Sequence, residues 1–257
     1  MIHETAWVDP AADLAPDVEV GPFSVIGPNV SLESGAWVGP HVVIQGHTRI
    51  GPGVQIFQFA SVGAPPQDKK FAGGETHLEV GEGTIIRESA TLHVGTEEGG
   101  GVTRVGEHVL VMAYVHVAHD CQVGDNVVLS NAVTLAGHVT VGERAIIGGM
   151  TAVHQFCDIG PYAFVGGASA VSMDVPPFAS VAGNRARLYG PNTVGLDRAG
   201  FPKETIDGLK RAFKALFHRR RPREEALAEV EASSDAEIPE VQQVMTFLRK
   251  SERGVVR

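Results

Sequence analysis

The chain has 257 residues, 43% of them hydrophobic and 20% charged, an ordinary globular composition with room for one or two domains. A formal net charge of −9 argues against nonspecific binding to nucleic acid or to an anionic membrane, although a local basic patch stays compatible with it. No run reaches the ~18 apolar residues of a spanning helix, and Met1-Ile2-His3-Glu4 lacks the apolar stretch of a signal peptide, so a cytoplasmic protein without a membrane span is expected.

From Ile2 to Val175 the chain repeats every six residues, and each hexad opens on Ile, Leu or Val. The first block runs Ile2, Val8, Leu14, Val20, Ile26, Leu32, Val38, Ile44, Ile50, Ile56 and Val62, then resumes in frame at Val80, Ile86 and Leu92. A second block, shifted by one residue, runs Val105, Val111, Val117, Val123, Leu129, Leu135, Val141, Ile147, Val153, Ile159, Val165 and Val171, which makes 26 hexads in all. Such a period fits neither an amphipathic helix nor plain strand alternation, and it is the mark of a solenoid. Each hexad reads as a short strand and a turn. The opener is followed by Gly in 12 of the 26, which suits a tight corner. Four residues after the opener stands Ala, Ser, Thr, Val or Cys in every hexad but one, the exception being Pro66, and small or β-branched side chains fit a narrow interior. Three hexads close one triangular coil, so a prism of about nine coils, spaced by about 4.8 Å, is predicted. The general rule for parallel crossovers favours a right hand.

Two interruptions leave this prism as loops. One spans residues 68–79 and keeps the frame; its Asp68, Lys69 and Lys70, beside Gln67, suggest a functional loop. The other, residues 98–104, is glycine-rich, shifts the frame by one, and reads equally as a solvated bulge. Cys121 and Cys157 fall at interior positions 36 residues apart, or two coils, which is too far for a disulfide and suits packed thiols in a reducing compartment. After Val175, Pro176-Pro177 is expected to turn the chain out of the solenoid. Helical spacing follows from Pro202-Lys203-Glu204 through Ile206, Leu209, Ala212, Phe213, Leu216 and Phe217, then over 224–231 and 239–250. The expected organisation is a β-helix over 1–190 with a helical domain over 191–257 that caps one end.

The hexads at Val117, Leu135 and Val153 lie 18 residues apart and stack on one face, placing His119, His138 and His154 on one corner with His116 and Gln155 nearby. A histidine followed by an acid, as in His119-Asp120, can act as a general base toward a hydroxyl. Clustered imidazoles can instead hold zinc, as in a carbonic anhydrase-like trimer, or simply face solvent. An acetyl-CoA-dependent acetyltransferase is a further candidate, whereas an inert rod would need Thr or Ser ladders that the chain lacks.

The runs His116-Val117-Ala118-His119-Asp120-Cys121, Leu135-Ala136-Gly137-His138-Val139 and Ile147-Gly148-Gly149-Met150, with Val153-His154-Gln155-Phe156, resemble the UDP-N-acetylglucosamine O-acyltransferases of the hexapeptide-repeat acyltransferase class. Gly46-His47-Thr48, Gln67-Asp68, Ile86-Arg87-Glu88-Ser89 and Asp174-Val175-Pro176-Pro177 extend the likeness from Met1 to Arg257. The resemblance implies a left-handed parallel β-helix and a homotrimer that uses no cofactor or metal. It implies the first acylation of lipid A biosynthesis, in which an (R)-3-hydroxyacyl chain passes from acyl carrier protein to the 3-hydroxyl of UDP-N-acetylglucosamine. By the same resemblance His119 is the base, Asp120 its orienting partner and the Gly137 N–H the oxyanion donor. Asp68, Lys70, His116, His138 and His154 match pocket positions, and Gln155, Asn192 and Arg198 match UDP contacts. Ala199 stands where relatives often carry a second basic residue. Gly167 matches an acyl-chain ruler, with Arg185 nearby, and implies a chain of about 14 carbons; acceptors with a 3-amino group stay open. Lys210-Arg211-Ala212-Phe213-Lys214 and the segment 218–223 form a basic patch suited to docking the acidic carrier protein.

Overall fold

The computed structural model describes residues 1–217 and 222–257. Among these residues, short strands end on the aliphatic openers, as in Val25–Ile26 and Val43–Ile44, and the opener is buried while the residue before it faces out. Strands 18 residues apart pair in register, Val117 against Leu135 and Leu135 against Val153. They form three faces. The first has nine strands from Trp7–Val8 to Ala170–Val171, and the second has eight from Asp13–Leu14 to Asp158–Ile159. The third has ten, nine parallel ones from Glu19–Val20 to Ala179–Ala182 and Arg187–Pro191, antiparallel, at its end. This is the expected parallel β-helix. Its core is the openers plus the residue four later, such as Leu135 with Val139, both fully buried. Cys121 and Cys157 occupy that inner row as free thiols, and burial pushes them up to about 12 and about 11.

The corners are built differently from the sequence expectation. The glycine after the opener is not the residue that turns the chain, since of the 12 only Gly63 takes positive φ. It is there because the next coil passes too close for a side chain: a Cβ on Gly148 would lie 2.4 Å from the Gly167 nitrogen, and one on Gly160 2.3 Å from the Pro177 nitrogen. The left-handed residue stands three after the opener. Phe23, Tyr114, Asp120, His138, Phe156 and Phe178 all take it, with φ between 58 and 65° for a wide range of side chains at this position, including Ser89 and Phe59. Each costs about 1 kcal/mol. Proline just before it, at Pro22, Pro40, Pro161 and Pro177, presets the first half of a type II turn. Proline is tolerated there because the coil-to-coil hydrogen-bond ladder takes no donor from the residue two after the opener.

Both insertions leave the prism at the corner between the first and second faces. One joins Ser61–Ala64 to His77–Val80, the other Thr91–His93 to Val102–Val105. The strands after them still pair in register, Val80 against Val105 and Val105 against Val123, so the shifted frame restores the same inward row.

Pro176-Pro177 does not turn the chain out, contrary to expectation. Val175 bridges to Ile159, the prolines form an ordinary corner, and Ala179–Ala182 continues the third face before the chain reverses. Then follow α1 (Thr193–Arg198), α2 (Lys203–Phe217), α3 (Arg223–Glu231), a 3-10 turn at Ser234–Glu237 and α4 (Pro239–Lys250). Helix α2 buries Ile206, Leu209, Ala212, Phe213 and Leu216, the stripe read from the sequence. Phe201 packs edge-on to Tyr162 at 5.0 Å, and Asp174 accepts from the Ser251 hydroxyl at 2.6 Å, so the helical region is tied to the last coils. The basic patch is partly consumed by these folds. Lys210 pairs with Asp207, Arg211 grips Asp235 with two hydrogen bonds, and Arg223 donates to the Leu248 carbonyl. Residues 218–221 of that patch lie outside the described residues.

Replacing Gly148 by Ala is expected to destabilise the fold by about 2–3 kcal/mol, because the added methyl meets backbone that is pinned on both sides. Urea unfolding of the variant against the parent measures this, and an unchanged midpoint would contradict close coil approach as the reason for glycine.

Candidate active site

The corner that carries both loops also carries Ala118–Asp120, Ala136–His138 and Gln155–Phe156. All of these but Asp120, which lies behind His119, line a cavity of about 830 Å³, with Gln67, Asp68, Lys70, His93, Thr96, Glu98, Gly99 and His116. Loop and coil therefore meet at one place. His119 stands two after its opener and Asp120 three after it, so the left-handed corner residue is the acid itself, with φ of 61°. The His119 Nδ1–H donates to Asp120 Oδ2 at 2.7 Å, a tautomer assigned because the carboxylate can only accept. The Nε2 edge is thereby left with its lone pair. It lies against Gly137, where a Cβ would come within 2.7 Å of it and 2.6 Å of Cε1. Any side chain at 137 would displace the imidazole.

Asp120 is almost wholly enclosed, its side chain 1% exposed, and both carboxylate oxygens accept hydrogen bonds. Oδ1 accepts from the Thr96 N–H at 2.8 Å, and Oδ2 accepts from the Thr96 hydroxyl at 2.6 Å as well as from His119. The His138 ring meets that of His119 edge-on at 5.1 Å, and Phe156 stacks on its other side at 4.4 Å. Burial lowers the affinity of His138 for a proton, partly opposed by Asp120. His116 is pushed down to about 4, first by burial and then by His93 and His119, so it is neutral; its Nδ1 lies 2.8 Å from the Thr91 hydroxyl.

His119, Asp120 and His138 present ligand atoms within 4.8 Å of one another, the metal-capable group among the described residues. The hydrogen bonds to Asp120 speak for a carboxylate serving a histidine rather than a metal, since its oxygens already face three donors.

His154 departs from the sequence expectation. It stands one after its opener, so its side chain leaves the corner at a different angle; it is exposed, and its Nδ1 lies 3.0 Å from the Gln155 carbonyl oxygen, outside the cavity lining. Phe156, not His154, completes the stack. Asn192 and Arg198 lie elsewhere in the chain, in a hollow of about 440 Å³ on the third face with Ile146, Phe164 and Ser180. The Asn192 side chain caps α1 by accepting from the Gly195 N–H and donates to the Tyr162 carbonyl. Gly167 sits at the corner between the third and first faces, its Cβ direction 3.2 Å from the Gly149 carbonyl. Arg185 lies in the reversal before Arg187–Pro191. His93, whose Nδ1–H donates to the Pro65 carbonyl at 2.8 Å, and Thr96 also belong to the site without standing out in the hexad pattern. The one sign of Thr96 was a polar residue in the inner row just ahead of a loop.

A prism of hexads with a histidine–acid pair on a loop-bearing corner defines a hexapeptide-repeat transferase, and residues 103–137 match the model described as bacterial transferase hexapeptide (six repeats). Residues 174–256 match that of UDP N-acetylglucosamine O-acyltransferase, domain 2. Curated relatives named acyl-[acyl-carrier-protein]–UDP-N-acetylglucosamine O-acyltransferase include those of Herminiimonas arsenicoxydans, 51% identical, and Polynucleobacter asymbioticus, 55% identical, each over 100% of this chain and 99% of the relative. The solved structure of LpxA from Acinetobacter baumannii superposes with a TM-score of 0.97 at 44% identity, covering 100% of this chain and 99% of that one. The chain belongs to the UDP-N-acetylglucosamine O-acyltransferase family, and its coil has that family's left hand.

The depressed His116 sets an acid limit on stability. Below its ordinary value of about 6.5 the unfolded chain takes up a proton that the folded ring refuses, so stability present above that pH is lost progressively as pH falls toward about 4. Urea unfolding across this window is expected to show the decline, and His116→Gln to flatten it. An equally steep decline in the variant would contradict the assignment.

Proposed function

We propose that this chain transfers an (R)-3-hydroxyacyl group from acyl carrier protein to the 3-hydroxyl of UDP-N-acetylglucosamine, the first step of lipid A biosynthesis. The observation that carries this reading is the His119–Asp120 pair with its free Nε2 edge laid against Gly137 at the floor of the cavity. Nε2 takes the proton of the sugar hydroxyl as its oxygen bonds to the thioester carbonyl carbon. The negative charge that develops on the carbonyl oxygen is met by the Gly137 N–H, the corner donor that the coil ladder leaves unused. Collapse breaks the C–S bond, and the proton held by His119 passes to the departing sulfur. Asp120 keeps the imidazole in the tautomer that can accept and stabilises the imidazolium.

Asp68 and Lys70 on the first loop, with His116, His138 and Gln155, line the same cavity and are suited to the sugar and the acyl chain, and His154 stands just outside. The Arg198 guanidinium suits the diphosphate. It and Asn192 lie on another face of the same chain, so a complete site requires a neighbouring copy, in agreement with a homotrimer. Two buried free thiols fit a cytoplasmic enzyme. Gly167 fills no space and leaves an acyl groove between copies open for a chain of about 14 carbons, with Arg185 at hand to narrow it.

Transfer assays that offer 3-hydroxyl and 3-amino UDP-sugars test the class and the acceptor. His119→Ala is expected to lower kcat by about a thousandfold or more while the oligomer persists; turnover near that of the parent would overturn the general-base role. With hydroxyacyl carrier proteins of graded length, the maximum is expected near 14 carbons, and a preference for ten would refute the open ruler. Gly167→Met is expected to move the optimum to shorter chains.

A further inference from the structure

The second insertion does more than interrupt the prism. Two threonines at its ends hold Asp120, Thr96 in the inner row before it and Thr103 in the strand Val102–Val105 that follows. The Thr96 N–H and hydroxyl donate to the two carboxylate oxygens at 2.8 and 2.6 Å, while the Asp120 N–H donates to Thr103 Oγ1 at 2.8 Å. Between them the Gly99 N–H donates to Thr96 Oγ1 at 3.1 Å, which orients that hydroxyl toward the acid. Gly99 also makes the space, since a Cβ there would fall 2.1 Å from the Asp120 carboxylate. In regular corners the residue three after the opener donates to a backbone carbonyl of the preceding coil, as His138 does to His119. At Asp120 the side-chain hydroxyl of Thr103, in the strand after the insertion, replaces that carbonyl.

We infer that the segment from Thr96 to Thr103 is a clamp for the His119–Asp120 pair, with Thr96 as a positioning residue that fixes the carboxylate through its hydroxyl. The hydrogen bonds form one network: the Gly99 N–H donates to the Thr96 hydroxyl, which donates to Asp120 Oδ2, the same oxygen that accepts the His119 Nδ1–H. Loop and pair are thus one unit. Gly99 and Glu98 line the cavity as well, so a substrate that settles there rests on the same loop that aligns the base.

This inference rests on His119 as the base, and the test separates the two. Thr96→Val keeps the shape and removes the hydroxyl; Thr96→Ser keeps the hydroxyl. The valine variant is expected to lose kcat by about tenfold or more, the loss of one hydrogen bond to a carboxylate, with KM for the UDP-sugar nearly unchanged, and the serine variant to keep kcat. The acid limb of kcat/KM is expected to move to higher pH in the valine variant, because Asp120 with one donor fewer attracts the His119 proton more strongly; His116, His138 and Asp68 are the other titratable neighbours. In a His119→Ala background the valine change is expected to add nothing. A valine variant with parental kcat, a serine variant as slow as the valine one, or a further loss in the His119→Ala background would each overturn the clamp. If His119→Ala itself remains active, the base assignment fails, and nitrogen-15 spectra of the imidazoles then decide the clamp alone: Thr96→Val is expected to shift the His119 Nδ1–H signal, and an unmoved signal would overturn it.

Discussion

Everything in this protein depends on backbone hydrogen bonds between coils that are stacked one strand apart. Trp7 N–H to the Ser24 carbonyl and Gly21 N–H to the Val38 carbonyl are two rungs of a ladder that runs the length of the prism. The ladder demands that each corner pass close to the next, which excludes side chains after many openers and forces a left-handed residue at a fixed place. The rungs repay that cost because each corner is held from both sides. The interior, with two side chains per hexad, is too narrow to accept anything large.

The chemistry grows from the same constraint. A left-handed residue throws its side chain outward from the corner, and at the first-to-second-face corner the three successive ones are Asp120, His138 and Phe156. The position before it keeps an N–H that no rung uses, and there the chain places His119 and Gly137 in adjoining coils. A base and an oxyanion donor are therefore supplied by regular positions of the repeat. What the repeat does not supply is an enclosed acid, and that enclosure comes from residues 96–103, where the regular pattern is broken.

The prism could be read from its openers, and so could helix α2, whose stripe matches the buried side. Frame counting also put both loops outside the solenoid. The direction of side chains at the corners could not be read, since which way a residue faces depends on its place within the hexad. His154 shares a face with His119, yet its side chain is exposed and Gln155 and Phe156 stand in the cavity wall in its place. The glycines were visible as a pattern, yet their reason, a neighbouring backbone at under 3 Å for several of them, belongs to the stack and not to the local sequence. Pro176-Pro177 looked like an exit because proline usually breaks strands, whereas here proline is at home in the corner. Roles for Gly137 and Gly167 came from family likeness alone, because nothing in a lone glycine announces chemistry.

Coil stacking also makes distance along the prism a stepped quantity. A group at a given corner can move toward or away from His119 only by whole coils, about 4.8 Å at a time, a stride that spans several methylene groups. Coarse changes in reach come from choosing a coil, and anything finer has to come from side-chain size on a coil already chosen. A fold built this way keeps its reacting groups at fixed intervals while single substitutions adjust the space between them.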